Sequence, residues 1–224
     1  MKSIVISIGG SVILSEEADV SFLVKLAGLL EKISKQYRIF IIVGGGNVAR
    51  KYIKLGRELN FNEETLDQIG INITRVNANI LSNLLKESNK KIPHSTKEAS
   101  QLLNNIVVMG GTTPGHSTDM VGAELSEEVD AELFVIATNV DGVFDKDPNK
   151  FSDAKQLKEV AIDQLIKQFG TDWDSAGKNT AIDGPALKII KKAKIPTVVV
   201  NGKRLDQLEK AITNLTFDGT KITI

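Results

Sequence analysis

The 224-residue chain has no cysteine, one tryptophan, two tyrosines and only two histidines. Without cysteine there is no disulfide, no thiolate nucleophile and no cysteine-ligated zinc. The histidines, His94 and His116, are not spaced as a metal pair. No apolar run approaches the ~18–20 residues that span a bilayer, and no leader with a long apolar stretch precedes the first strand pattern. A chain without membrane or nucleic-acid partners, located in the cytoplasm, is expected. Charge of one sign is also missing: Lys+Arg and Asp+Glu are both 28. No global basic field exists to attract nucleic acid, so any affinity for anions is local. Neither the G-x-x-x-x-G-K-[ST] phosphate loop nor a G-x-G-x-x-G turn after the first strand is present.

What the chain does have is a set of glycine-bearing turns, each following an apolar run. Residues 4–8 lead into Gly9-Gly10-Ser11, and residues 39–43 into Gly44-Gly45-Gly46-Asn47. Residues 106–109 lead into the string from Gly110 to Asp119, and 133–137 into Thr138-Asn139-Val140-Asp141-Gly142. Repeated at the same ends of successive strands, such turns make a rim of bare backbone N–H groups of the kind that holds phosphate. The apolar runs are rich in Ile and Val and do not alternate with polar residues, as in strands buried on both faces. Helical patterns separate them, over 20–33, 47–59, 64–86 with a kink expected at Gly70, 118–129, 161–169, 181–193 and 205–215. Strands are expected at 197–200 and 220–224. This alternation predicts an α/β fold, a three-layer α/β/α sandwich with a mainly parallel central sheet. The whole of 1–224 reads as one domain. Segments 145–158 and 171–180 read as exposed loops, the second a candidate lid that carries Trp173.

Each string offers chemistry beside a plainer structural role. Arg50, one helical turn past Gly44-Gly45-Gly46, can point back at an anion on the helix N-terminus, or be a solvated side chain after a flexible turn. The loop Thr112, Thr113, Pro114, Gly115, His116, Ser117, Thr118 combines hydroxyls and N–H groups suited to a sugar phosphate or nucleoside monophosphate. Within it Thr118 can simply cap the helix, and Asp119 can simply complement its dipole. Thr138 to Pro148, with Phe144 and Asp147, suits a nucleotide base and ribose, or a hairpin. Asp183 and Lys188 flank a helix start as acceptor and cation, or as N-cap and surface charge.

Together these strings, GGS at 9–11, GGGNVAR at 44–50, GGTTPGHSTD at 110–119, TNVDGVFDKDP at 138–148 and IDGPALKI at 182–189, resemble the amino-acid-kinase superfamily, and within it the branch of archaeal UMP kinases. The resemblance runs through the whole chain in order. It implies transfer of the γ-phosphoryl group of ATP to UMP with Mg²⁺, in a homohexamer built from dimers, with the N-terminal part holding the acceptor and the C-terminal part ATP. By matching positions it implies that Gly45, Asp67 and Thr112 through Thr118 hold UMP, with Asp67 on the ribose. Gly9, Gly10, Gly46, Arg50, Thr138, Phe144 and Asp147 would contact ATP or its phosphates. Lys188 would bind the transferring group, while Asp119 and Asp183 would orient cationic groups or a Mg-bound water. No direct metal ligand is implied. Two departures stand out: Ser7, where many members carry lysine, and Phe144, where tyrosine is usual. The alternatives are another small-molecule kinase of the superfamily, or a nucleotide-binding protein that stores metal oxyanions.

Overall fold

The computed structural model describes residues 1–14, 19–148, 150–171 and 182–224. The expected lid falls almost wholly on 172–181, outside the described residues, and Trp173 with it.

The chain begins with β1 (Ser3–Ile8), a single helical turn α1 (Gly10–Ile13) and α2 (Val20–Ile33). Asp19 caps α2 by accepting from Phe22 N–H at 2.9 Å, and Leu23, Leu26, Leu30 and Ile33 recur on its buried side. Next come β2 (Arg38–Val43), α3 (Gly46–Glu58) and α4 (Glu63–Leu84). α4 is capped by Asn62 and continues as one helix through Gly70, with Leu66, Ile71, Ala78 and Leu81 burying a stripe on either side of that glycine. α5 (Thr96–Ser100), β3 (Ile106–Met109), α6 (Thr118–Glu128) and β4 (Leu133–Thr138) follow. The segment expected as a loop over 145–158 instead belongs partly to a two-stranded antiparallel ribbon of β5 (Val143–Phe144) and β6 (Gln156–Leu157). The chain ends with β7 (Glu159–Ala161), α7 (Ile162–Phe169), α8 (Gly184–Ala193), β8 (Thr197–Asn201), α9 (Leu205–Ile212) and β9 (Gly219–Thr223).

The seven-stranded sheet has the order β3-β2-β1-β4-β8-β9-β7. The five strands from β3 to β8 are mutually parallel, while β9 runs antiparallel to β8. Side chains alternate between two cores. Ile4, Ile6 and Ile8 of β1 pack with α2, α4 and α9, whereas Val5 and Phe40 pack with α6, α7 and α8. Both faces are covered, which is why the strands read as continuous apolar runs.

Strand order fixes where a ligand can sit. From β1 the chain steps outward to β2 and β3, then returns to the other side of β1 as β4. The connections before and after this reversal leave in opposite directions, opening a crevice outside the carboxyl ends of β1 and β4. The glycine turns lie on that rim.

Candidate active site

The first two glycine turns touch each other. A Cβ on Gly10 would lie 2.1 Å from Gly46 N and 2.5 Å from Gly44 O. Gly46 also has φ +64, a left-handed conformation that side chains other than glycine's adopt at a cost. Close backbone contact thus accounts for glycine at positions 10 and 46. The turns are pinned to the sheet by Gly9 N–H to Ala137 O and Gly44 N–H to Ile8 O, both 2.9 Å. α3 starts at Gly46 with no side-chain cap, leaving its first N–H groups facing the rim. Arg50, one turn in, donates to Ser11 Oγ at 2.9 Å and to Asn47 Oδ1. Both partners are neutral, so the guanidinium charge remains available to an anion.

The third turn is held by α4. Gly111 N–H donates to Thr74 Oγ1 at 2.7 Å, and Arg75 donates to the carbonyls of Gly111 and Thr112. Asp67 Oδ2 accepts from Gly115 N–H at 2.6 Å, which leaves its other oxygen for a ligand. Three residues further along α4 than Thr74, Asn77 donates to Gly44 O at 2.9 Å. One helix therefore braces the second and third turns together. Thr74, Arg75 and Asn77 were not among the sequence candidates. The available signal was polar residues at positions 74 and 77, three apart, inside a helical stripe that otherwise buries Ile71, Ala78 and Leu81.

Ser117, rather than Thr118, caps α6: its Oγ accepts from Met120 N–H at 2.9 Å and donates to Asp183 Oδ2. Thr118 is the first helical residue. Asp183 also caps α8 through Ala186 N–H at 2.9 Å, so its structural and site-facing roles coexist. Asp119, in the first turn of α6, accepts from Ser7 Oγ at 2.6 Å. Burial pushes the Asp119 carboxyl up to about 7, with the charge of Asp183 adding to it and the Ser7 hydrogen bond opposing it. Asp183 is shifted the same way, chiefly by burial. Two desolvated carboxylates thus face each other across the loop end and the α8 start. Among the described residues Lys188 makes no ion pair or hydrogen bond with either of them; it is exposed on the second turn of α8. His116 Nδ1 is buried, 3.3 Å from Glu124 Oε1.

On the other flank, Thr138 ends β4 level with Asn201 of β8, and Gly202 N–H donates to Thr138 O at 2.8 Å. This is a fifth glycine turn on the same rim, not recognised from the sequence because a single glycine follows a short valine run. Asp141 accepts from Asn201 Nδ2 at 3.0 Å and from Arg204 at 3.5 Å. Arg204 also pairs with Asp218 at 2.6 Å, and Lys158, with Arg204 second, holds the Asp218 carboxyl down at about 2. Phe144 is half-buried in the β5–β6 ribbon, and Asp147 is exposed beside Lys150. The site therefore has two flanks: the 110–118 loop braced by α4, and the β5–β6 ribbon, where Val143 N–H and Leu157 O are tied to Thr220 of β9.

Such a rim can hold phosphates on backbone N–H groups and stabilise charge with Arg50, while the acid pair holds a cation or an ordered water. Among the described residues no cluster of three or more His, Asp or Glu could cage a metal alone.

Residues 2–201 match the model of the amino acid kinase family. Over 221 residues the chain is 44% identical to a protein of Methanocaldococcus jannaschii named uridylate kinase, covering 96% of this chain and 98% of the relative. A uridylate kinase of Methanococcus aeolicus is 44% identical over 224 residues, at 98% coverage of both. The crystal structure of uridylate kinase from Archaeoglobus fulgidus superposes with a TM-score of 0.87 at 39% identity, covering all of both chains.

Proposed function

The chain belongs to the amino acid kinase family, and from that membership we infer that it transfers the γ-phosphoryl group of ATP to UMP, giving UDP and ADP. It is a nucleoside monophosphate kinase. The observation that carries this reading is that the loop from Gly110 to Thr118 is fastened by α4 to the same rim as the bare-backbone turns, so two phosphorylated ligands can meet there.

Under this reading UMP lies along residues 112–118 with Gly45 beneath its phosphate and the free oxygen of Asp67 on its ribose. ATP lies toward Thr138, Phe144 and Asp147, with its phosphates on Gly9, Gly10, Gly46 and Arg50. An ionised phosphate oxygen of UMP attacks the γ-phosphorus, and the bond from that phosphorus to the β–γ bridging oxygen breaks. No protein nucleophile or strong general base is needed; positioning and charge stabilisation dominate. Arg50 and Lys188 would stabilise the transferring charge, Lys188 after its side chain turns in from solvent. Asp119 and Asp183 suit a hydrated divalent cation, because both carboxylates are desolvated and neither has a cationic partner within the described residues. Mg²⁺ carried in on the nucleotide would neutralise phosphate charge there, with the two carboxylates holding its water.

We extend the reading to one domain with an acceptor-side N-terminal part and an ATP-side C-terminal part, working in the cytoplasm as a homohexamer of dimers. In support, no described helix is long and apolar enough to cross a membrane. Tyr52, Leu55 and Leu59 along α3 and its end, and Val76, Ile80 and Leu84 on α4, are exposed at helical spacing, as an assembly surface requires.

The test is ADP release with ATP and Mg²⁺ against UMP, CMP, dUMP, AMP and isopentenyl phosphate in parallel. Turnover is expected with UMP. Preference for another acceptor would discard the reading of residues 110–118, and silence with all five would remove the kinase assignment.

A further inference from the structure

Arg75 sits midway along α4, half-buried, and burial lowers its basicity from the ordinary value. Its Nε donates to Gly111 O at 3.2 Å and its Nη2 to Thr112 O at 3.1 Å. Among the described residues no carboxylate lies within ion-pair distance of it, and Glu98 acts on it only from farther off. A partly desolvated cation spent on two neutral carbonyls is costly unless it does something more for the loop.

Peptide geometry says what that is. No peptide bond in the described chain is cis. In a trans peptide the carbonyl and the following N–H point opposite ways. By holding the carbonyls of Gly111 and Thr112, Arg75 turns the N–H groups of Thr112 and Thr113 away from itself. Neither N–H has an acceptor among the described residues, whereas the other N–H groups of 111–116 are used: Gly111 N–H on Thr74, Gly115 N–H on Asp67 and His116 N–H on Thr113 O. The charge behind them also polarises both peptides, making the outward N–H groups stronger donors. The loop has no slack to find this arrangement otherwise, since a Cβ on Gly110 would already lie 2.9 Å from Arg75 N.

The geometry points to Arg75 as a positioning residue for the phosphoryl acceptor: it aims and strengthens the Thr112 and Thr113 N–H groups toward an acceptor oxygen. This rests on the reading of residues 112–118 as the acceptor loop. The oxygen is either a phosphoryl oxygen or a carbonyl oxygen of the pyrimidine, and both are met by the same pair of donors.

Arg75→Met and Arg75→Lys are compared with the unaltered protein by steady-state kinetics, and by calorimetry with uridine and with ribose 5-phosphate. Losing one or two charge-assisted hydrogen bonds is expected to raise KM for UMP about 10- to 100-fold. KM for ATP and kcat should stay within about threefold, and the lysine variant, which keeps the charge but has one donor nitrogen in place of the two-nitrogen fork, should fall between. Weakened uridine binding with ribose 5-phosphate unchanged assigns the donors to the pyrimidine carbonyl; the reverse assigns them to the phosphate. An unchanged KM for UMP in both variants overturns the proposal, as does a parallel rise in both KM values, which is what mere loosening of the fold would give. If Arg75→Met does not fold, the lysine variant decides alone by the same split. Failure of the acceptor reading shows differently, as an unaltered protein that takes no UMP, and it removes this proposal as well.

Discussion

Ser7 Oγ reaches Asp119 at 2.6 Å from the only polar position in the buried part of β1. Its hydrogen bond favours the ionised carboxylate against burial and the charge of Asp183, which together push Asp119 up to about 7. If ionised Asp119 orients a cation during transfer, kcat falls as pH drops through about 7. A pH profile of kcat checks this, and Ser7→Ala should move the acid limb to higher pH because the opposing hydrogen bond is gone. Asp119→Asn should lower kcat on the order of 10²–10³-fold, as loss of one well-placed polar group does in such sites. The same variant should be more stable than the unaltered protein at pH 8. The sign follows from linkage: a carboxyl whose folded pKa lies above its ordinary 3.8 contributes its stability fully below that value and loses it as pH rises through about 7. Thermal unfolding at pH 8 and pH 5 measures it, and a gain no larger at pH 8 than at pH 5 contradicts the burial account. In the sequence Ser7 read as a missing lysine. Its pairing with Asp119 joins residues 112 positions apart, and no local pattern carries such a distance.

At the scale of elements, the glycine turns are legible but their mutual contact is not. Gly44-Gly45-Gly46 announces a turn, yet nothing local says that Gly10 lies against Gly46. Gly10→Ala places a Cβ where Gly46 N stands, so the two turns must part. ATP affinity should fall by tenfold or more, about the effect of losing one to two backbone hydrogen bonds to phosphate, read by calorimetry. Gly28→Ala, where a Cβ meets nothing within 4 Å, is the control that should leave binding unchanged. α4 offers a second test. Thr74→Val leaves the buried Gly111 N–H without its acceptor, a loss of about 1–3 kcal/mol in unfolding free energy. KM for UMP should rise more than KM for ATP, because the brace acts on the loop proposed to hold UMP. The pattern of α4 was readable from its 3.6-residue repeat, but nothing local assigned the polar residues inside it a partner. Thr74 and Asn77 resolve to braces only once β2 and β3 bring their turns alongside. Val76 and Ile80 lie on the opposite, exposed side.

For the whole molecule, the exposed residues of α3 and α4 set the test of assembly. Ile80→Glu puts a charge into the apolar stripe and should shift the sedimenting species to a smaller one while leaving the fold intact, since Ile80 is exposed and braces neither turn. Unchanged mass would move the assembly surface elsewhere. The parallel sheet was legible because strands buried on both faces lose their polar alternation, as in Ile39 to Val43. The β5–β6 ribbon was not, because two-residue strands are shorter than any periodicity. The sequence alone determined the α/β class, the order of its longer strands and helices along the chain, and the positions of four phosphate-suited turns, since each follows from local hydrophobic period and backbone freedom; elements of five residues or fewer such as α1, α5, β5, β6 and β7 escaped it. Tertiary structure alone decided that Gly10 meets Gly46, that Ser7 and Ser117 hold the two carboxylates, that Arg75 and Thr74 stand under the 110–118 loop, and that a fifth turn at Gly202 lies on the same rim. Those contacts depend on the reversal of strand order at β1 and β4, and spatial neighbours created by a crossover leave no mark on adjacent residues.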